Sequence, residues 1–429
     1  MNRIDIAILG LGTVGQGVVK IIQGNQKQWN SRCGATINIK KVMVRSIERT
    51  REVELPDGVL TCKWDEIISD PDISTIVEVM GGIEPARTFI LEAIRKGKNI
   101  VTANKDLLAL HGQEIFEASK VAGVDLYFEA SVAGGIPIIA PLKQSLAANN
   151  IKQVMGIING TTNYILSKMS QEGMDYDEAL QRAKELGYAE ADPTADVGGF
   201  DAARKIAILA SLAFHTRVRL QDIYVEGITN LTLEDINNAK ELGYVIKLLG
   251  IAREEDRQIE GRVHPVLIPI THPLANVNDS FNAVFVYGDA VGETMFFGHG
   301  AGQMPTASAV TGDLLEVISN TINGYTGRLS CTCYEDKVIK SIGEITTKYY
   351  LRMHVLDRPG VLASIAGVFG NHGVSLASVL QKNGSPLGIA ELVVITHMVK
   401  ENDIQDALAV IKEMSITKSI ENLIRVEGN

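Results

Sequence analysis

Residues 4–22 read IDIAILGLGTVGQGVVKII. A short apolar run, Ile4 to Leu9, feeds Gly10-Leu11-Gly12-Thr13-Val14-Gly15, and a helical apolar pattern follows. Glycines at this spacing let the backbone approach a pyrophosphate, and the helix N-terminus offers it free N–H groups. The G-x-G-x-x-G alone is a weak signal, because a purely structural tight turn has the same spacing. The context strengthens it: a strand before, a helix after, and a βα pattern that continues. NIKKVMV (38–44), STIVEVM (74–80) and KNIVTA (98–103) read as buried strands, with helical patterns over 89–97 and 107–123. Strands alternating with helices predict a Rossmann-like, doubly wound parallel sheet over residues 1–130.

Two positions at strand ends bear on the cofactor. The second strand ends at Val44 and Arg45 follows. An acidic residue there would bind a ribose 2′-OH, whereas an Arg can pair a 2′-phosphate. This favours NADP over NAD, with a solvated Arg in a basic loop (Arg45, Arg49, Arg51) as the other reading. Lys105 closes Thr102-Ala103-Asn104-Lys105 just after a strand, where such sheets present their ligand crevice. A ligand-facing lysine and a surface charge are both compatible with that position.

Beyond Asp125 the pattern changes. Residues 126–149, LYFEASVAGGIPIIAPLKQSLAAN, read as a strand, a glycine-rich turn and a helix. Long helices are expected over 176–187 and 234–252, and strands over 262–270, 283–288 and 293–300. Together they make a second α/β domain, 131–320, for catalysis and dimerisation. GAGQMPTASAVTGDLLEVISNTI (300–322) reads as a glycine turn and a helix near 305–325 that returns to complete the first domain. A polar stretch, Cys333 to Lys340, reads as a linker. Residues 348–429 then run strand, helix, strand, strand, helix, strand, the ferredoxin-like order.

Residues 187–205, GYAEADPTADVGGFDAARK, carry the densest chemistry. Glu190, Asp192 and Asp196 lie on a segment broken by Pro193 and by Gly198-Gly199. Asp201 and Lys205 sit four apart at the start of an apolar helix, hence on one face. Acids beside a helix-borne lysine suit an enzyme that holds an ammonium group and moves a proton. An acidic loop with an ordinary surface ion pair is the competing reading.

The chain has 429 residues and a net charge of −10, which argues against a nucleic-acid surface. No apolar run approaches a membrane span, and the N-terminal run is too short for a signal peptide. The expected location is cytoplasmic. Four cysteines make no disulfide framework in such a chain, and Cys331-Thr332-Cys333 has no second pair at zinc spacing. Free thiols are expected. His215 and His264 have no partner motif and read as structural or exposed.

GLGTVG, TANK, EASVAGGIP, NGTTNYIL, GYAEADPTADVGGFDAARK and GAGQMPTASAV together resemble the homoserine dehydrogenase family over nearly the whole chain. DRPGVLASIAGVFGNHGVSL (357–376) resembles an ACT domain, the amino-acid-sensing module of the regulated family members. The resemblance implies NAD(P)-dependent interconversion of L-homoserine and L-aspartate 4-semialdehyde, in threonine, methionine and isoleucine biosynthesis. It makes Lys205 the acid/base catalyst and Glu190 the ligand of the substrate amino group. Asp201 would contact substrate and orient the lysine, with Asp192 and Asp196 on the same acidic segment. Gly187 and Gly302 match positions where backbone nears the cofactor, and Lys105 lies near the reacting centre. Glu129, Val132, Gly134 and Ile136 match ligand positions for a monovalent cation, sodium in the usual case, with a structural role. The ACT resemblance implies an effector, threonine, at the turn Asp357–Gly360, and a homo-oligomer, dimer or tetramer.

Two other functions are compatible with the architecture: an oxidoreductase for another small amino or keto acid, and a sensor that has lost catalysis. Turnover of homoserine separates the first, and cofactor reduction the second. The C-terminal unit has its own alternating core pattern, so truncation after about Ser341 is expected to leave an active, unregulated enzyme.

Overall fold

The computed structural model describes residues 2–326, 332–382 and 388–428. Cys331 lies outside these residues; Cys62 and Cys333 are free thiols. Among the described residues no helix is long and apolar enough to cross a membrane. The chain forms two compact units, residues 1–154, 207–220 and 282–336, and residues 155–206, 221–281 and 337–429.

The first unit is built on six parallel strands: β1 (Asn2–Leu9), β2 (Ala35–Met43), β3 (Leu60–Thr61), β4 (Ile73–Glu78), β5 (Asn99–Thr102) and β6 (Leu126–Tyr127). Their order is β3-β2-β1-β4-β5-β6. Ile6 to Leu9 are fully buried, as expected for a strand covered on both faces. The order reverses beside β1, and the crevice beyond strand C-termini at such a reversal is where ligands bind. Helix α1 (Thr13–Cys33) leaves the glycine turn. The helix Gln303–Asn323 returns to pack on it, with Ala307, Val310 and Leu314 joining Val18, Val19 and Ile22 in one core.

The second unit contains a long antiparallel hairpin, Tyr244–Glu255 with Gln258–Pro269. Its two-residue turn, Asp256-Arg257, has both residues at positive φ, which matches the twist of paired strands. Sequence periodicity put 234–252 in one helix, and the structure corrects this. The helix Leu233–Glu241 ends, Gly243 turns at φ 82°, and Tyr244 onward is strand. Residues 246–252 are buried without alternation, and periodicity cannot distinguish a continuous apolar run of this kind from a buried helix. The helix expected after the glycine-rich turn is likewise reduced to one wide turn, Pro141–Ser145, with Pro141 in its first turn.

The C-terminal unit has the expected order: strand Thr346–Leu356, helix Val361–Asn371, strands Leu376–Lys382 and Ile389–Thr396, helix Glu401–Glu413 and strand Thr417–Val426. Tyr349, Leu351, Ile365, Phe369, Ile404 and Leu408 anchor its core. Its sheet is not separate. Strand Thr417–Val426 also pairs in parallel with Gln258–Pro269, through Val266↔Arg425 and Leu267↔Val426. Just beyond it, the buried Glu427 carboxylate grips both Arg253 and Arg262 of the hairpin. The detachable C-terminal module read from the sequence is therefore stitched into the neighbouring sheet by backbone pairing and buried charge.

Candidate active site

The glycine turn has the geometry its spacing implied. Gly10 has φ 101°, and a Cβ on Gly15 would lie 2.2 Å from the Gly10 carbonyl oxygen. Gly12 caps α1 with no side-chain hydrogen bond, and no acid lies in the first turn. The first N–H groups of Thr13, Val14 and Gly15 are thus left for an anion, so the turn fits a dinucleotide pyrophosphate. Arg45 stands exposed just past the end of β2. Arg51 closes the loop beside it, donating to the carbonyls of Ser46, Ile47 and Arg49.

At the ends of β4 and β5 lies a buried acid that sequence reasoning missed. Glu78 accepts from Thr102 Oγ1 at 2.6 Å and from the N–H groups of Met80 and Gly81. Burial pushes its carboxyl above the ordinary range, against these hydrogen bonds. Thr102 Oγ1 in turn accepts from Asn104 N–H, and Asn104 caps the helix that Lys105 begins. Glu78 thereby shapes the loop that carries the half-buried Lys105.

The EASVAGGIP turn shows how Glu129 is used. Its carboxylate accepts from the N–H groups of Ile138, Ile139 and Ala140 at 2.6–2.7 Å, and its own N–H donates to Asp313. Burial raises both carboxyls, Asp313 well above its ordinary value with Glu129 adding to the effect. Val132, Gly134 and Ile136 lie in the same turn, where Ala133 and Gly134 are left-handed in succession. A Cβ on Gly134 would meet the Gly300 carbonyl oxygen at 2.3 Å. Among the described residues no three His, Cys, Asp or Glu side chains converge on a metal site. A cation in this turn would rest on neutral backbone oxygens, a donor set suited to a hard ion. Gly302, at φ 122°, caps the returning helix.

The second unit assembles the acid–lysine constellation. Strand Ile151–Ile157 runs into Ile158 and Asn159, and Asn159 caps the helix Gly160–Glu172 through Thr162 N–H. Its amide Nδ2 donates to Asp196 Oδ1 at 2.7 Å and to Asp201 Oδ2 at 3.0 Å. Lys205 Nζ donates to Asp201 Oδ2 at 2.6 Å and to the Ile158 carbonyl at 2.7 Å. Lys205 and Asp201 are 9% and 6% exposed, which removes the surface ion-pair reading. An ammonium has three donors, and two are anchored. The third has no acceptor among the described residues. Burial, with the nearby Asp201 charge, raises the Asp196 carboxyl above its ordinary range. Asn159 was assigned no role from sequence, although an Asn before a helical run is a recognisable N-cap signal.

The remaining acids divide. Glu190 is exposed with no partner among the described residues. Asp192 is turned onto its own segment, accepting from Thr194 N–H and Oγ1, so its oxygens are engaged locally. Gly187 has φ 76°, just past the helix Tyr176–Glu185. In the C-terminal unit, Asp357 is exposed, with Gln381 Nε2 at 3.4 Å, and Gly360 caps Val361–Asn371 at φ 88°.

Three family models match the chain: homoserine dehydrogenase over residues 137–315, the homoserine dehydrogenase NAD-binding domain over 10–129, and the ACT domain over 349–415. The homoserine dehydrogenase of Bacillus subtilis is 47% identical, covering 100% of this chain and 99% of its own. That of Synechocystis is 49% identical, covering 99% of each. The crystal structure of a homoserine dehydrogenase from Thiobacillus denitrificans superposes with a TM-score of 0.94 at 42% identity, over 100% of this chain and 99% of that one. A hyperthermophilic archaeal homoserine dehydrogenase in complex with NADPH matches at TM-score 0.63 and 25% identity, over 76% of this chain and 100% of that one.

Proposed function

Since the chain belongs to the homoserine dehydrogenase family, an NAD(P)-dependent oxidoreductase family, we propose that Lys205 moves the proton in the interconversion of L-aspartate 4-semialdehyde and L-homoserine. The observation that carries this is the buried ammonium with two N–H groups anchored and one open. When bound, the nicotinamide exchanges a hydride with the substrate's C4. In reduction the aldehyde oxygen takes a proton from Lys205 as its carbon gains the hydride. In oxidation the neutral amine would take the hydroxyl proton as the carbon gives up its hydride. Asp201 and the Ile158 carbonyl fix the lysine, and Asn159 holds Asp201 and Asp196 in register. A positioned acid/base of this kind contributes about 10²–10⁴-fold. Lys105 is the alternative proton carrier, on its position after β5.

Glu190 is proposed to receive the substrate ammonium, with Asp196 on the same acidic segment, and its free carboxylate supports the assignment. The engagement of Asp192 by Thr194 gives it the lesser part. Glu190→Gln should raise the homoserine KM about tenfold while changing kcat less, because the charge is felt in ground and transition states alike. Steady-state kinetics check this; an unchanged KM would assign the ammonium to another acid.

Gly10, Gly12, Thr13, Val14 and Gly15 are proposed to hold the cofactor, with Gly187 and Gly302 as further cofactor-binding positions and NADP preferred to NAD through Arg45. Arg45→Ala should weaken NADP about 10–100-fold and NAD hardly at all, because only NADP carries the 2′-phosphate a guanidinium can grip. Equal losses for both dinucleotides would make Arg45 a general charge.

A monovalent cation, sodium, is proposed on the carbonyls of Glu129, Val132, Gly134 and Ile136, as a structural ion. Residues 1–130 with the returning helix, 131–320 and 348–429 are proposed as the cofactor, catalytic and regulatory parts. Threonine is proposed as the effector at Asp357–Gly360, where a helix N-terminus meets a carboxylate. A homo-oligomer, dimer or tetramer, is proposed on the exposed Met295 and Phe297 of the edge strand Gly292–His299. The location proposed is the cytoplasm.

A further inference from the structure

The strand Gln258–Pro269 has one edge covered by the hairpin and the other shared by three separate strands. Gln258 and Ile259 pair with Val338 and Ile339. Arg262 and Val263 pair with Tyr224 and Val225. Val266 and Leu267 pair with the C-terminal strand. Between the first two lies a notch at Glu260 and Gly261, opening on a cavity of about 490 Å³.

Glu260 and Arg262 are two apart on the strand, so their side chains share a face. Arg262 is 1% exposed. Its Nη2 pairs with Glu427, and its Nη1 lies 2.7 Å from Glu260 Oε1. Those two atoms are not aligned as a hydrogen bond, and Arg262 Nε has no acceptor at all among the described residues. Two guanidinium donors and a carboxylate oxygen are thus buried beside a cavity and unsatisfied, which folded proteins rarely tolerate without a ligand or water. The cavity wall is mixed: Ile223, Ile339, Ile342 and Ile345 make an aliphatic part, and Gln221, Asp222, Lys340 and Ser341 a polar one.

We propose that this notch is a binding site for the zwitterion of a small aliphatic α-amino acid, distinct from both the substrate segment and the Asp357–Gly360 turn. The ligand carboxylate accepts from Arg262 Nη1, and its ammonium donates to Glu260 Oε1, so that both ends meet the groups that now face each other at 2.7 Å. Charge balance favours a zwitterion. Arg253 and Arg262 are already matched by Glu260 and Glu427, so a net anion or cation would leave one charge uncompensated in a buried place. The isoleucines take the aliphatic side chain. Residues 337–345 form one wall and continue into strand Thr346–Leu356 of the C-terminal unit. A ligand in the notch would brace that connection, linking the amino-acid level to the way the regulatory sheet is held.

The test is calorimetric titration of the full chain with valine, leucine and isoleucine, and with isovalerate and isoamylamine as probes carrying only one charge. At least one amino acid should bind with a Kd of about 1 mM or tighter, and both single-charge probes at least about tenfold more weakly. Glu260→Gln should weaken binding about tenfold or more. Ile342→Trp, which fills the cavity and keeps every charge, should abolish it and stays informative if the Glu260 variant does not fold. A flat titration to about 10 mM would mean a water-filled notch and would overturn the proposal. Equal binding of the single-charge probes would do the same. So would binding that survives Ile342→Trp but is lost in Asp357→Asn, which would put the ligand in the other turn.

Discussion

Lys205→Met should lower kcat by about 10²–10⁴-fold in either direction while leaving dinucleotide affinity near that of the parent. The loss should appear in kcat, because the proton transfer is made in the transition state, and KM should move little. Met keeps the length of the aliphatic stem, so the packing around it is retained. The buried Asp201 loses its cation but keeps the Asn159 amide, so a lower melting temperature is expected in a chain that still folds. Stopped-flow or steady-state turnover, with dinucleotide binding followed by fluorescence, checks the result. Near-normal turnover in a folded variant would move proton transfer to Lys105.

Truncation after Ser341 should destabilise the second unit severely, contrary to the modular expectation drawn from the sequence. The cut removes Glu427 and leaves Arg253 and Arg262 without their shared carboxylate, Arg262 almost wholly buried. Removing one partner of a buried pair costs about 3–5 kcal/mol. The cut also exposes the edge of Gln258–Pro269 and strips Arg425 from the Tyr224 ring and from Glu226. Against a net stability of about 5–15 kcal/mol, such a loss should leave the truncated chain aggregated or with its melting temperature lowered by about 10 °C or more. Glu427→Gln in the full chain isolates the charge clasp and should show a smaller drop of the same kind. Calorimetry and size-exclusion chromatography read both. A truncated chain that melts normally and turns over homoserine would return the C-terminal unit to the status of a separable module.

The two cases draw on different ranges of the chain. Asp201 and Lys205 are four apart on one helix, and their contact follows from helix geometry alone, so spacing predicted it. The charge clasp that stitches the C-terminal unit joins residues 174 and 165 apart in sequence, and no local pattern encodes that.

The sequence by itself determined the relations inside each element. The glycine turn needed Gly10 and Gly15 because the chain turns where a Cβ would strike backbone. The order of strands and helices implied the parallel sheet and the ferredoxin-like unit. Only the tertiary structure decided what each charged group meets. It buried Lys205 against the Ile158 carbonyl, joined Asp196 and Asp201 through Asn159, turned Asp192 onto Thr194, and shaped the Lys105 loop on Glu78. It also made Tyr244–Glu255 a strand, because its apolar run is buried on both faces and the partner strand supplies the hydrogen bonds. Spacing fixes geometry over a few residues through the rise and turn of the chain. Burial and pairing across tens of residues depend on how whole elements pack, and there desolvation and hydrogen-bond satisfaction set the chemistry of each site.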